Sequence, residues 1–245
     1  MFSMPRLFAK LDRRLLVAAL VLAASIAMLS AGLFSIIATR GDDGADLPSE
    51  GSLQDILSDS ASGSQDQSLA PAGPAGPPAP APVRIAIPRV YVDSPVVAMG
   101  LDADNYPEVP ASAEDVAWYT FSAAPGQSSN AVFSGHVDWI TRSGDPIPGA
   151  FYRLRELEIG DTVKVTLDDG QEFVYRVTGN VAIPYDDPNV LKVMQGTSSD
   201  VLTLITCGGT WKKDYGAPLG GNYSHRILVR AQRVAQVAEG GASGG

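Results

Sequence analysis

The 245-residue chain has one cysteine and only two histidines. A single cysteine cannot close an intrachain disulfide, and with two histidines it falls short of a Cys/His zinc site. Basic charge is also scarce. Eighteen Lys and Arg face 27 Asp and Glu, a formal net charge of −9, which argues against nonspecific nucleic-acid binding. No phosphate loop, dinucleotide fingerprint, calcium-loop spacing or internal repeat occurs. The sequence therefore predicts no cofactor, no metal and no nucleic-acid partner.

What is present is unevenly distributed. Residues 1–14 carry a net charge of +3, residues 39–82 carry −6, and the remaining −6 lies beyond residue 82. Between the first two zones, residues 15–38 form an uncharged apolar run of 24 residues, about 36 Å of helix at ~1.5 Å per residue. A cleaved secretory signal has a shorter apolar region, of ~7–15 residues. The run therefore predicts a single transmembrane anchor. Arg13 and Arg14 precede it and Asp42, Asp43 and Asp46 follow, so the positive-inside rule predicts a cytoplasmic N-terminus at 1–14 and an extracytoplasmic remainder. Residues 39–82 are acidic and Ser/Gly-rich, then Pro/Ala/Gly-rich. They read as a disordered linker that acts as a stalk. The Gly/Ser-rich end, 236–245, reads as a frayed tail.

From Val83 the pattern changes to short β-branched and alternating runs. Thr162–Leu167, Asp169-Gly170 and Glu172–Val177 spell a hairpin: alternation, a DG turn, alternation. Asn130–Gly135, Val201–Thr206 and Arg226–Ala231 add further strands, and Ala150–Leu157 has room for a helical turn or two. Seven or eight such strands over about 150 residues predict an all-β barrel or sandwich across 83–235.

The lone Cys207 ends the apolar Val201–Thr206 run and precedes Gly208-Gly209. A buried structural thiol is the plain reading of such a residue. In an oxidising compartment, however, an idle free thiol is a liability, and glycines at Gly208 leave backbone N–H groups open to an oxyanion. A thiol nucleophile needs a base or a cation beside it. His136 follows the Asn130–Gly135 run, while His225 and Arg226 are adjacent on the last strand. Neighbours on a strand point to opposite faces, so His225 and Arg226 cannot both aim at one site. Periodicity alone leaves the choice between them open.

Ser134-Gly135-His136, Thr203-Leu204-Ile205-Thr206-Cys207 and the Arg226 of Ser-His-Arg-Ile-Leu-Val-Arg together resemble the sortase family of cell-wall cysteine transpeptidases. Phe151, Leu154, Leu157, Gly160-Asp161 and Val163 also look like the sortase core, and the resemblance runs from Val83 to Arg233. GHVDW and TCGG look most like the class F branch of actinobacteria. The resemblance implies an eight-stranded β-barrel acting on LPXTG-like sorting signals. Cys207 would attack the Thr–Gly carbonyl and form a thioacyl enzyme, and His136 would protonate the leaving amine. Arg226 would hold the oxyanion or the substrate backbone, with Thr206 beside the nucleophile. An amine from a peptidoglycan precursor or a protein lysine, or water, would resolve the intermediate. The resemblance favours Arg226 over His225.

Asp138, two residues after His136, is a candidate to orient it, and Trp139 and Trp211 could line a peptide groove or cap the barrel rim. The Gly-rich stretch between Cys207 and Arg226 reads as a loop flanking the site. Two other functions compete. One is an L,D-transpeptidase, which places His and Gly just before its cysteine where this chain has Ile205 and Thr206. The other is an inactive surface scaffold, in which one of the three site residues would be expected to be missing.

Overall fold

Alternation along the strands sorts their side chains to two faces, and each face builds its own apolar layer. In a computed structural model, which describes residues 47–58, 80–213 and 220–234, the strands are β1 (Ser49–Glu50), β2 (Pro82–Ile87), β3 (Val92–Met99), β4 (Val116–Tyr119) and β5 (Asn130–Gly135). They continue with β6 (Asp138–Ile140), β7 (Pro146–Pro148), β8 (Thr162–Leu167), β9 (Glu172–Pro184), β10 (Val201–Lys213) and β11 (Gly221–Arg233). Two short helices, α1 (Leu53–Ser58) and α2 (Asn189–Lys192), and two single 3-10 turns complete the described elements. The expected anchor at 15–38, the N-terminal segment 1–14, the linker residues 39–46 and 59–79 and the tail 236–245 lie outside the described residues. Among the described residues no helix is long and apolar enough to cross a membrane.

The main sheet runs β1-β9-β11-β10-β5-β4-β3-β2-β8, and β9 also pairs with β8. That second pairing closes eight strands, β2–β5 and β8–β11, into a barrel, with β1 added to the far half of β9; β6 and β7 form a separate ribbon. The expected hairpin is present: Thr162↔Arg176 through Thr166↔Glu172 are paired. Ala131, Phe133, Leu202, Leu204, Val229 and Ala231 point into the barrel with Phe151, Leu154 and Tyr175. The alternate residues Ala117, Tyr119, Val132, Ile205 and Leu228 point outward, and Val193 and Met194, just after α2, pack over them. Cys207 has the parity of Ile205, and Arg226 that of Leu228. The chemistry therefore belongs to the outer face.

Residues 47–58 depart from the expected linker. Ser49 and Glu50 pair with Val181 and Asn180 of β9, and the Glu50 carboxylate accepts from the Ile159 N–H at 2.8 Å. Ser52 and Asp55 cap α1 reciprocally, each side chain accepting the other's backbone N–H at 3.1 Å, which is the capping-box arrangement. Ile56 is buried in the outer apolar layer. Arg230, itself buried, donates to the Ile56 carbonyl (3.0 Å) and to Thr203 Oγ1 (2.7 Å). Thr203 in turn donates to Asn130 Oδ1, and Asn130 Nδ2 holds the carbonyls of Val193 and Gln195. The segment is acidic and polar but carries one deeply buried side chain. Ile56→Ala is expected to cost about 2–5 kcal/mol, the range for emptying a buried isoleucine site. Chemical denaturation of the full-length protein checks it.

Candidate functional site

The antiparallel register of β10 and β11 pairs Cys207 with Arg226 and Gly208 with His225. Residues directly opposite across such a pair share a face. Cys207 and Arg226 therefore project together, and His225 projects with Gly208 to the other side. His225 Nδ1 lies 2.8 Å from the Ser224 hydroxyl. The parallel pairing of β10 with β5 ends at Ile205↔Ser134, two residues short of both Cys207 and His136. Thr206 spans the next step: it is 4% exposed, and its hydroxyl donates to the Gly135 carbonyl at 2.7 Å. This bond ties the cysteine strand to the residue that precedes His136.

Cys207, His136 and Arg226 all line one cleft of about 530 Å³, with Thr206, Ser134, Tyr119, Asn222 and Pro110. A second cleft of about 560 Å³, between the start of β3 and the 148–153 turn, contains none of the three, so size does not decide between them. Tyr106 and Val109 on one wall and Leu191 on the other are 69%, 63% and 53% exposed, which makes the mouth of the first cleft apolar.

Burial pushes the Cys207 thiol up from its ordinary pKa. Arg226 pulls it down, and Asp138 pushes it up again. The thiol thus rests largely neutral, and a thiolate there depends on the arginine. Arg226 is held in place: its guanidinium donates to Asn222 Oδ1 at 3.0 Å and to the His225 carbonyl at 3.1 Å, and it sits 5.8 Å from the centre of the Tyr185 ring. His136 Nε2 lies 2.8 Å from the Pro110 carbonyl. A carbonyl only accepts, so Nε2 carries a proton there, and Nδ1 is the nitrogen at which the ring gains or loses one. Trp139 packs edge-on against the ring, 4.9 Å between centroids.

Gly149 places the histidine from behind. A Cβ on Gly149 would lie 2.6 Å from the His136 carbonyl carbon and 2.8 Å from its Cβ, and the Phe151 N–H donates to the His136 carbonyl at 2.9 Å. Gly149→Ala must therefore shift His136. It is expected to lower turnover tenfold or more, since ~1 Å of misplacement costs up to about 10²-fold, while alkylation of Cys207 proceeds as before. Peptide-cleavage kinetics beside iodoacetamide labelling check this.

Three expectations change. The Asp138 carboxylate accepts from the Tyr223 hydroxyl and not from the His136 ring, because the residue sits on the β6–β7 ribbon, which turns it toward β11. Cys207 is not at a strand end, and the stretch after it is not simply a loop. Gly208 stays paired with His225; the ladder is irregular at Gly209, at φ 75°, and Thr210, and pairing resumes at Trp211↔Tyr223. Gly208 is glycine for a packing reason, since a Cβ there would lie 2.6 Å from the Ile227 side chain. Trp139 and Trp211 lie outside the cleft lining. Trp211 stacks edge-on with Tyr223 at 5.2 Å. The sequence does not mark Tyr119, Pro110, Gly149 or Tyr223 as site residues, and Ser134 enters only within the Ser134-Gly135-His136 motif. Nothing local marks the first four.

A closed eight-stranded barrel with a cysteine and an arginine side by side over one cleft, and a histidine at the adjoining strand end, defines a class of acyl-transfer fold. The model of the sortase domain matches residues 85–234, and the chain belongs to the sortase family of transpeptidases. Similar solved structures include a sortase D5 transpeptidase of Clostridium perfringens at 19% identity, covering 62% of this chain and 78% of that one with a TM-score of 0.42. Sortase C-1 from Actinomyces oris is 25% identical over 62% of this chain and 73% of its own, with a TM-score of 0.42. Sortase A from Corynebacterium diphtheriae is 23% identical over 65% and 63%, with a TM-score of 0.44. No curated protein matches the sequence.

Proposed function

We propose that the protein is a membrane-anchored cysteine transpeptidase that cleaves an LPXTG-like sorting signal and passes the protein on to an amine. The observation that carries this is the register pair Cys207–Arg226 opening into the same cleft as His136. The Cys207 sulfur adds to the threonine carbonyl of the signal, and its proton leaves to the basic side of the site, where His136 Nδ1 can hold it. Arg226 faces the oxygen that becomes negative as the tetrahedral intermediate forms. Collapse breaks the Thr–Gly bond, His136 gives a proton to the departing glycine amine, and a thioester remains on Cys207. An amine of a peptidoglycan precursor or a protein lysine attacks the thioester and restores the thiol; water does so where hydrolysis prevails.

The apolar wall of Val190, Leu191, Met194 and Ile205 suits the leucine and proline of such a signal. The uncharged run 15–38, flanked by Arg13-Arg14, supports a single-pass anchor with the N-terminus in the cytoplasm and the barrel outside. GHVDW and TCGG are the support for a class F member. The test is a panel of LPXTG-like peptides with hydroxylamine in excess. Cleavage between Thr and Gly with a threonine hydroxamate product is expected; intact peptides across the panel, with folded protein, would overturn the reading.

A further inference from the structure

Tyr223 has no part in the chemistry above, yet it meets two of the three strands or strand ends that build the site. It lies on β11, three residues before Arg226. Its hydroxyl donates to the Asp138 carboxylate on β6, two residues after His136. Its ring meets Trp211, which follows Cys207 on β10, at 5.2 Å and 74°. Next to Asp138, Trp139 presses on the His136 ring. The β6–β7 ribbon has only three residues a side and belongs to no other sheet, so it needs an anchor beyond its own pairing.

We propose that Asp138 and Tyr223 are a positioning pair for the sortase chemistry, clasping the ribbon behind His136 to the Arg226 strand. The assignment of roles to His136, Cys207 and Arg226 is that of the proposed function; the clasp rests on the contacts themselves. The charged and titratable groups facing the cleft or the thiol are Arg226 and Tyr223 from β11, His136 after β5, Asp138 from β6, Tyr119 from β4, Tyr106 after β3, and Tyr185, Asp186 and Asp187 after β9. Of these, Arg226 and Asp138 act on the thiol's ionisation, in opposite directions. Burial does most to keep the resting cysteine a thiol, and Asp138 adds to it by offsetting part of what Arg226 supplies. The Tyr223 hydroxyl stays protonated, because burial and the Asp138 bond both push its pKa up, so it remains a donor across the working range.

The test uses the full-length protein, whose only cysteine is Cys207, so iodoacetamide reports on that sulfur without any sorting peptide. Rates are measured against pH for the wild type, Asp138→Asn and Tyr223→Phe. Asparagine still accepts the tyrosine proton but carries no charge. Asp138→Asn is expected to move the alkylation midpoint down, as removal of a negative charge that raises the thiol's pKa should. Tyr223→Phe keeps the charge and loses the clasp. It is expected to raise hydrogen exchange across 138–148 and to lower kcat on a cleaved peptide about tenfold with KM little changed. An unmoved midpoint in Asp138→Asn would overturn the effect of Asp138 on the thiol, and wild-type exchange in Tyr223→Phe would overturn the proposed clasp. If no peptide is cleaved by any form, the proposed function fails while the alkylation and exchange arms still judge this one.

Discussion

Arg226→Lys is expected to reduce kcat/KM on a sorting peptide by about 10²–10³-fold, the usual loss when one aligned donor to a developing oxyanion is removed. The guanidinium is not a loose charge. Asn222 and the His225 carbonyl hold one edge, and Tyr185 lies along its side, so its remaining donors are aimed before substrate arrives. An ammonium on a flexible stem keeps the charge but lacks the planar fork, and it must find its geometry anew in every turnover. The same substitution retains a cation beside the thiol, so alkylation of Cys207 should change far less than peptide cleavage. Steady-state kinetics with iodoacetamide profiles separate the two. Near-normal turnover would make the arginine structural and return His225 to consideration, although its pairing with Gly208 turns it from the cleft.

His136→Ala is expected to lower kcat by about 10²–10⁴-fold, the contribution of a positioned general acid and base. With Nε2 committed to the Pro110 carbonyl, the proton must come and go at Nδ1, and no second histidine faces the cleft. The loss should be largest for peptides whose leaving amine is most basic, because those depend most on being protonated as the bond breaks. His136→Ala keeps the Cys207–Arg226 pair, so the alkylation profile should survive. A parallel collapse of alkylation would point to unfolding rather than to lost proton transfer, and thermal denaturation distinguishes them.

Much of this architecture is legible in the sequence. The Asp169-Gly170 turn and the alternation on either side are local signals, and they form the β8–β9 hairpin. Cys207, His136 and Arg226 stand out because the chain has so few residues of their kind, and the structure brings all three to one cleft. Other features depend on pairings far apart in sequence. Whether His225 or Arg226 faces the cysteine is set by a register across two long strands, and a one-residue slip would reverse it. Asp138 stands close to His136 in sequence but bonds Tyr223, 85 positions away. The 47–58 segment has the composition of a solvated linker; its docking relies on backbone pairing with β9 and one buried isoleucine, which composition does not record. The glycines after Cys207 read as a loop, whereas Gly208 stays in the ladder and Gly209 begins an irregularity that the long paired strands absorb.

The most direct measurement is intact-mass spectrometry of the full-length protein mixed with an LPXTG-like peptide and quenched in acid. A mass gain equal to the acyl fragment ending at threonine, located on Cys207 by peptide mapping, lost on hydroxylamine treatment and absent in Cys207→Ala, is expected. Cleaved peptide without such an adduct on Cys207, or cleavage that persists in Cys207→Ala, would contradict a thioacyl mechanism at this site.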